Sequence, residues 1–199
     1  MPVLTAPLLD EARENLRVIR QVMERSTKYS TLSGLSGVLI GLTAIAGVLA
    51  TRHVRDIYAH PLRLALIWLV VLALAVAIDF ARNKRRAAQV GKRVVSPLGA
   101  HILIAALPAF FAGAVLTAFF ALHHLLFYVW GVWMLCYGLA ICAVGLFSVR
   151  PVSYLGAAFV LAGAVTLFLS VPYHLYMMAL TFGGFHIAYG LWTARRDGW

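Results

Sequence analysis

Six apolar stretches of about 20 residues each decide what this chain can fold into. They cover residues 31–50, 62–80, 98–122, 125–147, 154–171 and 174–193. At 1.5 Å per residue, a helix of about 20 residues crosses the roughly 30 Å of hydrocarbon in a bilayer. Backbone polar groups in lipid must be satisfied within the protein, and helices with this apolar pattern do that. The expected fold is all-α, a polytopic membrane helix bundle. Six transmembrane helices pair as three hairpins, preceded by an amphipathic N-terminal helix. The joints after the third, fourth and fifth stretches are a few residues long and leave no room for a soluble domain. The chain divides into a cytoplasmic helix (1–30), a six-span bundle (31–194) and a cytoplasmic tail (195–199).

Composition agrees. The 199 residues are 62% hydrophobic and only 12% charged, with a mean hydropathy of +0.87. A soluble domain carries about 25% charged residues. The net charge of +10 invites a nucleic-acid reading, which the placement of the charges argues against. The bases flank apolar runs rather than lining a folded basic face. Arg13, Arg17, Arg20, Arg25 and Lys28 precede the first stretch. Arg82, Lys84, Arg85, Arg86, Lys92 and Arg93 fill the second joint, Arg150 lies in the fourth, and Arg195 and Arg196 end the chain. With six spans all of these fall on one side. The other side has Arg52, Arg55 and Arg63, partly offset by Asp56. Loops rich in Lys and Arg stay inside, so both termini are expected in the cytoplasm. The first 30 residues lack the short apolar core of a cleavable signal peptide, and the first stretch is expected to act as an uncleaved anchor. Cys136 and Cys142 point in different directions on a helix and do not have metal or redox spacing.

Leu9, Ala12, Leu16, Ile19 and Met23 form one stripe before the first span. That pattern predicts a helix lying on the inner membrane surface or a short coiled coil. Ala112-Gly113-Ala114-Val115 recurs 50 residues later as Ala162-Gly163-Ala164-Val165, and His124-Leu125 recurs as His174-Leu175 at the same shift. Tyr137-Gly138-Leu139 recurs as Tyr189-Gly190-Leu191, and Ala46-Gly47-Val48 is a weaker third copy. Parallel repetition of three hairpins is the expected source. Gly37, Gly41, Gly113 and Gly163 are candidate helix-packing positions, because small residues let backbones approach in lipid. They suit contacts within one chain and contacts between copies equally.

The candidate chemistry lies in histidine. His60, His123, His124 and His174 sit at the outer ends of the hairpins. Three hairpins can bring imidazoles to one axis, as a metal site or a proton-sensitive gate. The plainer reading is that histidine, like the nearby tyrosines, suits the water interface. His186 lies 12 positions after His174, about 18 Å deeper along a helix. An ionisable group at that depth is a functional candidate by default; otherwise it is a neutral ring bonded to a neighbouring helix. His101 lies near the inner end of the third span, and Asp79 at the inner end of the second with Arg82 and Asn83 in helical reach. Asp79 reads as an interfacial ion pair or as a proton relay. A haem held between His101 and His186 needs ligands facing across the iron. Their depths differ by roughly 15 Å counted from the outer ends and about 6 Å counted from the inner ends. No nucleophile elbow, phosphate loop or dinucleotide fingerprint is present, so no enzymatic activity is expected.

Residues 13–27, RENLRVIRQVMERST, and residues 147–163, FSVRPVSYLGAAFVLAG, resemble a family of uncharacterised small bacterial six-span inner-membrane proteins. The resemblance implies a bacterial cytoplasmic-membrane location. That family has no assigned activity, so no functional residue carries over. Three functions are consistent with the sequence. One is a non-catalytic membrane subunit that self-associates or packs with a membrane-protein partner, with no cofactor. The second is a carrier, channel or sensor for a small solute, proton or metal ion. The third is a haem- or quinone-binding redox protein.

Overall fold

The structure, a computed structural model, describes residues 14–16, 34–89, 97–148 and 150–197. Every long element among them is helical: α1 (Gly34–His53), α2 (Pro61–Gln89), α3 (Pro97–Leu122), α4 (Val129–Gly145) and α5 (Arg150–Phe168). The last apolar stretch is α6 (Val171–Met178), a π-helical segment (Ala179–Phe185) and α7 (His186–Asp197), with helical backbone at both joins. Five helices are long and apolar enough to cross a membrane: Gly34–His53, Pro61–Arg82, Ile102–Leu122, Leu126–Gly145 and Arg150–Phe168. The expected sixth is helical throughout but divided by the π segment. Of the expected N-terminal amphipathic helix, residues 14–16 are helical and exposed; the rest lies outside the described residues, as does the joint between α2 and α3, residues 90–96.

Proline sets where helices begin. Pro61 and Pro97 open α2 and α3, Pro151 is second in α5, and Pro172 lies in the first turn of α6. A first-turn residue needs no N–H partner, and proline's fixed φ suits it. Pro108 lies inside α3, where it removes one backbone bond. The 29 residues of α2 span about 43 Å, more than the hydrocarbon layer. The part long and apolar enough to cross ends at Arg82, and Lys84 and Arg85 follow it in the last turns.

Two glycine seams hold the bundle together, both antiparallel. Along α1, Gly34 faces Ala194, Gly37 faces Gly190, and Gly41 faces Gly183 and Ile187. A methyl on Gly37 would lie 2.8 Å from the Gly190 Cα, and one on Gly41 would lie 2.6 Å from the Gly183 carbonyl oxygen. The second seam joins α4 and α5. Gly131, Gly138 and Gly145 recur every seven residues and meet Gly163, Gly156 and Ser153 in turn. A strict seven-residue repeat keeps one seam facing its partner through a left-handed supercoil.

The outer helices attach through a repeated device. Trp68 of α2 donates its indole N–H to Thr51 (3.2 Å), whose hydroxyl donates to the Gly47 carbonyl (2.8 Å). Trp133 of α4 donates to Thr117 of α3 (2.9 Å), which donates to the Gly113 carbonyl (2.7 Å). The two glycines are the ones matched between the first and second hairpins in the sequence. Beyond these contacts and a few inward side chains such as Leu64, Ile102 and Ala106, α2 and α3 are largely exposed. Only 6% and 17% of their spans are buried within the protein, against 50% for α4. Leu66, Leu69, Leu103 and Phe111 are among the apolar side chains they turn outward, as a lipid-facing surface does.

Candidate functional site

Helices α4 and α5 and the π segment enclose an aromatic cluster around His186. Phe159 is wholly buried, with ring centroids 4.8 Å from Tyr137, 5.0 Å from Phe182, 5.4 Å from Phe185 and 5.4 Å from His186. His186 is 2% exposed. Its Nδ1 is 3.0 Å from the Phe182 carbonyl and its Nε2 is 2.7 Å from the Tyr137 hydroxyl.

These partners fix the tautomer. A carbonyl only accepts, so Nδ1 carries the hydrogen. A neutral ring then offers Nε2 as an acceptor, and the Tyr137 hydroxyl donates to it. The π segment makes room for this. The His186 backbone N–H bonds the Gly183 carbonyl, whereas a regular α-helix would use the Phe182 carbonyl. That oxygen is left within reach of the imidazole. Single π turns of this kind recur at functional sites.

Two groups flagged in the sequence thus converge on one that was not. His186 bonds Tyr137, and the Asp79 carboxylate lies close enough to act on Tyr137 electrostatically. Tyr137 was visible only as part of a repeated triplet. Its copy, Tyr189, packs partly buried at the edge of the same core. His101 lies in α3, and its side chain is outside the described residues.

The outer histidines do not meet on an axis. His60, His123 and His124 are exposed. His123 lies against the Phe119 ring (4.3 Å), and His124 occupies the left-handed region at φ 57°. His174 is 1% exposed, with Nδ1 2.8 Å from the Phe127 carbonyl and Nε2 3.0 Å from the Leu169 carbonyl. No group of three His, Cys, Asp or Glu side chains gathers among the described residues. The repeat did not place the histidines in equivalent surroundings, because backbone carbonyls claim His174 and not its copy.

The packing glycines divide as well. Gly37, Gly41 and Gly163 are spent on contacts within the chain. Gly113 is looser, with the Cys136 side chain at ordinary contact distance from a methyl placed there (3.4 Å). An open apolar groove beside Pro108 is lined by Ile104, Leu107, Phe110 and Phe111. No family model matches this chain, and neither a curated protein nor a solved structure does.

Proposed function

We propose that this is a six-span, non-catalytic subunit of the bacterial cytoplasmic membrane, with both termini in the cytoplasm and no cofactor of its own. The observation that carries this reading is that the two polar side chains inside the aromatic cluster are taken up by each other. His186 and Tyr137 satisfy one another and a backbone carbonyl inside a packed set of aromatic rings. The six-span count is supported by the α1 seam. It runs from Gly34 beside Ala194 to Gly183 beside Ile45, so the last helix lies alongside a helix that is itself long enough to span. The basic residues then fall on one side.

The glycine faces are occupied internally, so association with a second copy or another membrane protein falls to the outward faces of α2 and α3. In a variant with Cys136 and Cys142 replaced by alanine, single cysteines at Leu72, Leu107 and Leu161 test this by oxidative cross-linking in native membranes. Leu72 and Leu107 stand on α2 and α3, and Leu161 on the exposed side of α5. Cross-links at Leu72→Cys or Leu107→Cys, and none at Leu161→Cys, are expected. Absence of cross-links at all three, together with a protein that migrates as a lone monomer when native membranes are gently solubilised, would contradict the subunit reading.

The carrier or sensor reading has one observation in its favour, the Tyr137–His186 pair with Asp79 in electrostatic reach. The aromatic rings packed against that pair weigh against a solute path through it.

A further inference from the structure

The last turns of α2 and the groove on α3 lie at one end of the bundle. The connection from Gln89 to Pro97 reaches at most about 28 Å. That is shorter than either helix, so the basic end of α2 and the start of α3 share a side. Tyr137 gives a common level. The Phe110 ring of α3 is 6.5 Å from the Tyr137 ring, and the Asp79 carboxylate of α2 acts on the same residue electrostatically. Arg82 and Arg85 lie three and six residues beyond Asp79, and Leu107 and Ile104 lie three and six residues before Phe110. At 1.5 Å per residue, Arg82 is roughly level with Leu107, and Arg85 with Ile104.

The groove is apolar and the helix end at its level is cationic. Pro108 has a short side chain, with Ile104 one turn before it and Phe111 one turn after, so a notch opens between longer side chains. At about 670 Å³ it falls within the roughly 300–1,000 Å³ of ligand sites. Lys84 and Arg85 are exposed and Arg82 is half-exposed. After Asp79 the sequence has no acid before Asp197, so no carboxylate on α2 or α3 beyond Asp79 offsets these cations.

We propose that this end of the bundle binds one anionic phospholipid, its phosphate held by Arg82, Lys84 and Arg85 and an acyl chain lying in the groove beside Pro108. The pairing of features sets the ligand class. A free phosphate makes no use of the groove, and a wholly apolar molecule makes none of the cations. A partner helix needs small residues for close approach, whereas Ile104, Leu107 and Phe111 wall this groove, and a flexible chain can follow such walls. Cations beside a membrane attract anionic lipid in general; the groove at their level turns that attraction into a single site. The site rests on the membrane placement proposed above and needs no protein partner. Arg195 and Arg196, exposed at the end of α7, supply the control, and Arg196 already lies over the Trp192 ring (5.4 Å).

The test places the full-length protein in nanodiscs of phosphatidylglycerol and phosphatidylcholine, in equal amounts and with matched chains. Native mass spectrometry reads the lipid that stays bound. One phosphatidylglycerol per chain is expected, favoured over phosphatidylcholine by about tenfold or more, since each Lys or Arg near an anionic surface contributes about fivefold. Replacing the three cations together (Arg82→Gln, Lys84→Gln, Arg85→Gln) should erase that preference. Ile104→Trp fills the groove from an exposed position and should lower the retained phosphatidylglycerol several-fold. The pair Arg195→Gln and Arg196→Gln should change neither quantity. Equal retention of the two lipids by the unaltered protein would overturn the proposal, and so would unchanged retention in Ile104→Trp. An equal fall in the control pair would mean a general cationic surface, and displacement by added inorganic phosphate would mean a phosphate-only site; either overturns it. A protein that does not enter nanodiscs at all would contradict the membrane reading, and this site with it.

Discussion

Gly138→Ile is expected to prevent the bundle from forming. A methyl at Gly138 already lies 2.7 Å from the Val160 nitrogen and 2.8 Å from the Gly156 carbonyl oxygen. Both are backbone atoms of α5, so no rotamer change relieves the clash and the two helices must separate. Overpacking one site by a few atoms costs about 1–3 kcal/mol where side chains can shift, and a branched side chain against backbone exceeds that. Against a total stability of roughly 5–15 kcal/mol, the loss is decisive. The check is the yield of monodisperse protein in mild detergent, together with a denaturant titration. Gly184→Ala is the matched control. Its added methyl meets only the Leu180 side chain at 3.7 Å and the Ala179 carbonyl at 3.9 Å, so its effect should stay within about 0.5 kcal/mol. Equal damage from both substitutions would show that the α4–α5 seam is not the source of stability.

Phe159→Ala should cost about 3–5 kcal/mol, the range for emptying a buried aromatic site. Phe159 touches rings from α4, from the π segment and from α7, so the cavity opens where three elements meet. It also removes a wall of the pocket that holds the Tyr137–His186 bond. Phe168→Ala is the comparison. Phe168 is 91% exposed at the end of α5, and truncating it should leave unfolding nearly unchanged. Reversible unfolding in mixed micelles measures both. A Phe159→Ala loss below about 1 kcal/mol, well under the expected range, would mean the aromatic cluster is not the centre of the fold.

The helical bundle was legible because the bilayer imposes a length and a polarity on each span. Runs such as 62–80 and 98–122 satisfy both without reference to any partner. Pairing was harder to read. Gly37 and Gly41 announce a close helix contact, but the partner is Gly190 and Gly183, nearly the whole chain away, and spacing along one helix cannot name it. The seven-residue run Gly131, Gly138, Gly145 was readable in principle, since its matching glycines lie in the next helix. The GxxxT segments that receive Trp68 and Trp133 show why the repeat was only half visible. They depend on a glycine, a threonine and a tryptophan scattered over two helices, while the apolar residues between are free to change.

The site was legible as a place on a helix and not as chemistry. Residue counting put His186 12 positions beyond His174 on one apolar stretch, and the ring is buried there. Its tautomer is set by the Phe182 carbonyl and the Tyr137 hydroxyl, and the second lies 49 residues away in the sequence. His174 is the opposite case. Among the outer histidines it looked like one interface residue among several, and its two carbonyl partners, at Phe127 and Leu169, appear only once three elements close around it.

The most direct test of the account is the side of the membrane on which each joint lies. With Cys136 and Cys142 replaced by alanine, single cysteines are introduced as Asp56→Cys, His124→Cys, Arg85→Cys and Arg196→Cys, and treated with an impermeant maleimide in spheroplasts. Six crossings predict labelling at positions 56 and 124 in intact spheroplasts, and at 85 and 196 only after lysis. Labelling at 196 in intact spheroplasts, with 85 still protected, would mean that α6 and α7 do not carry the chain back across, and would contradict the six-span bundle.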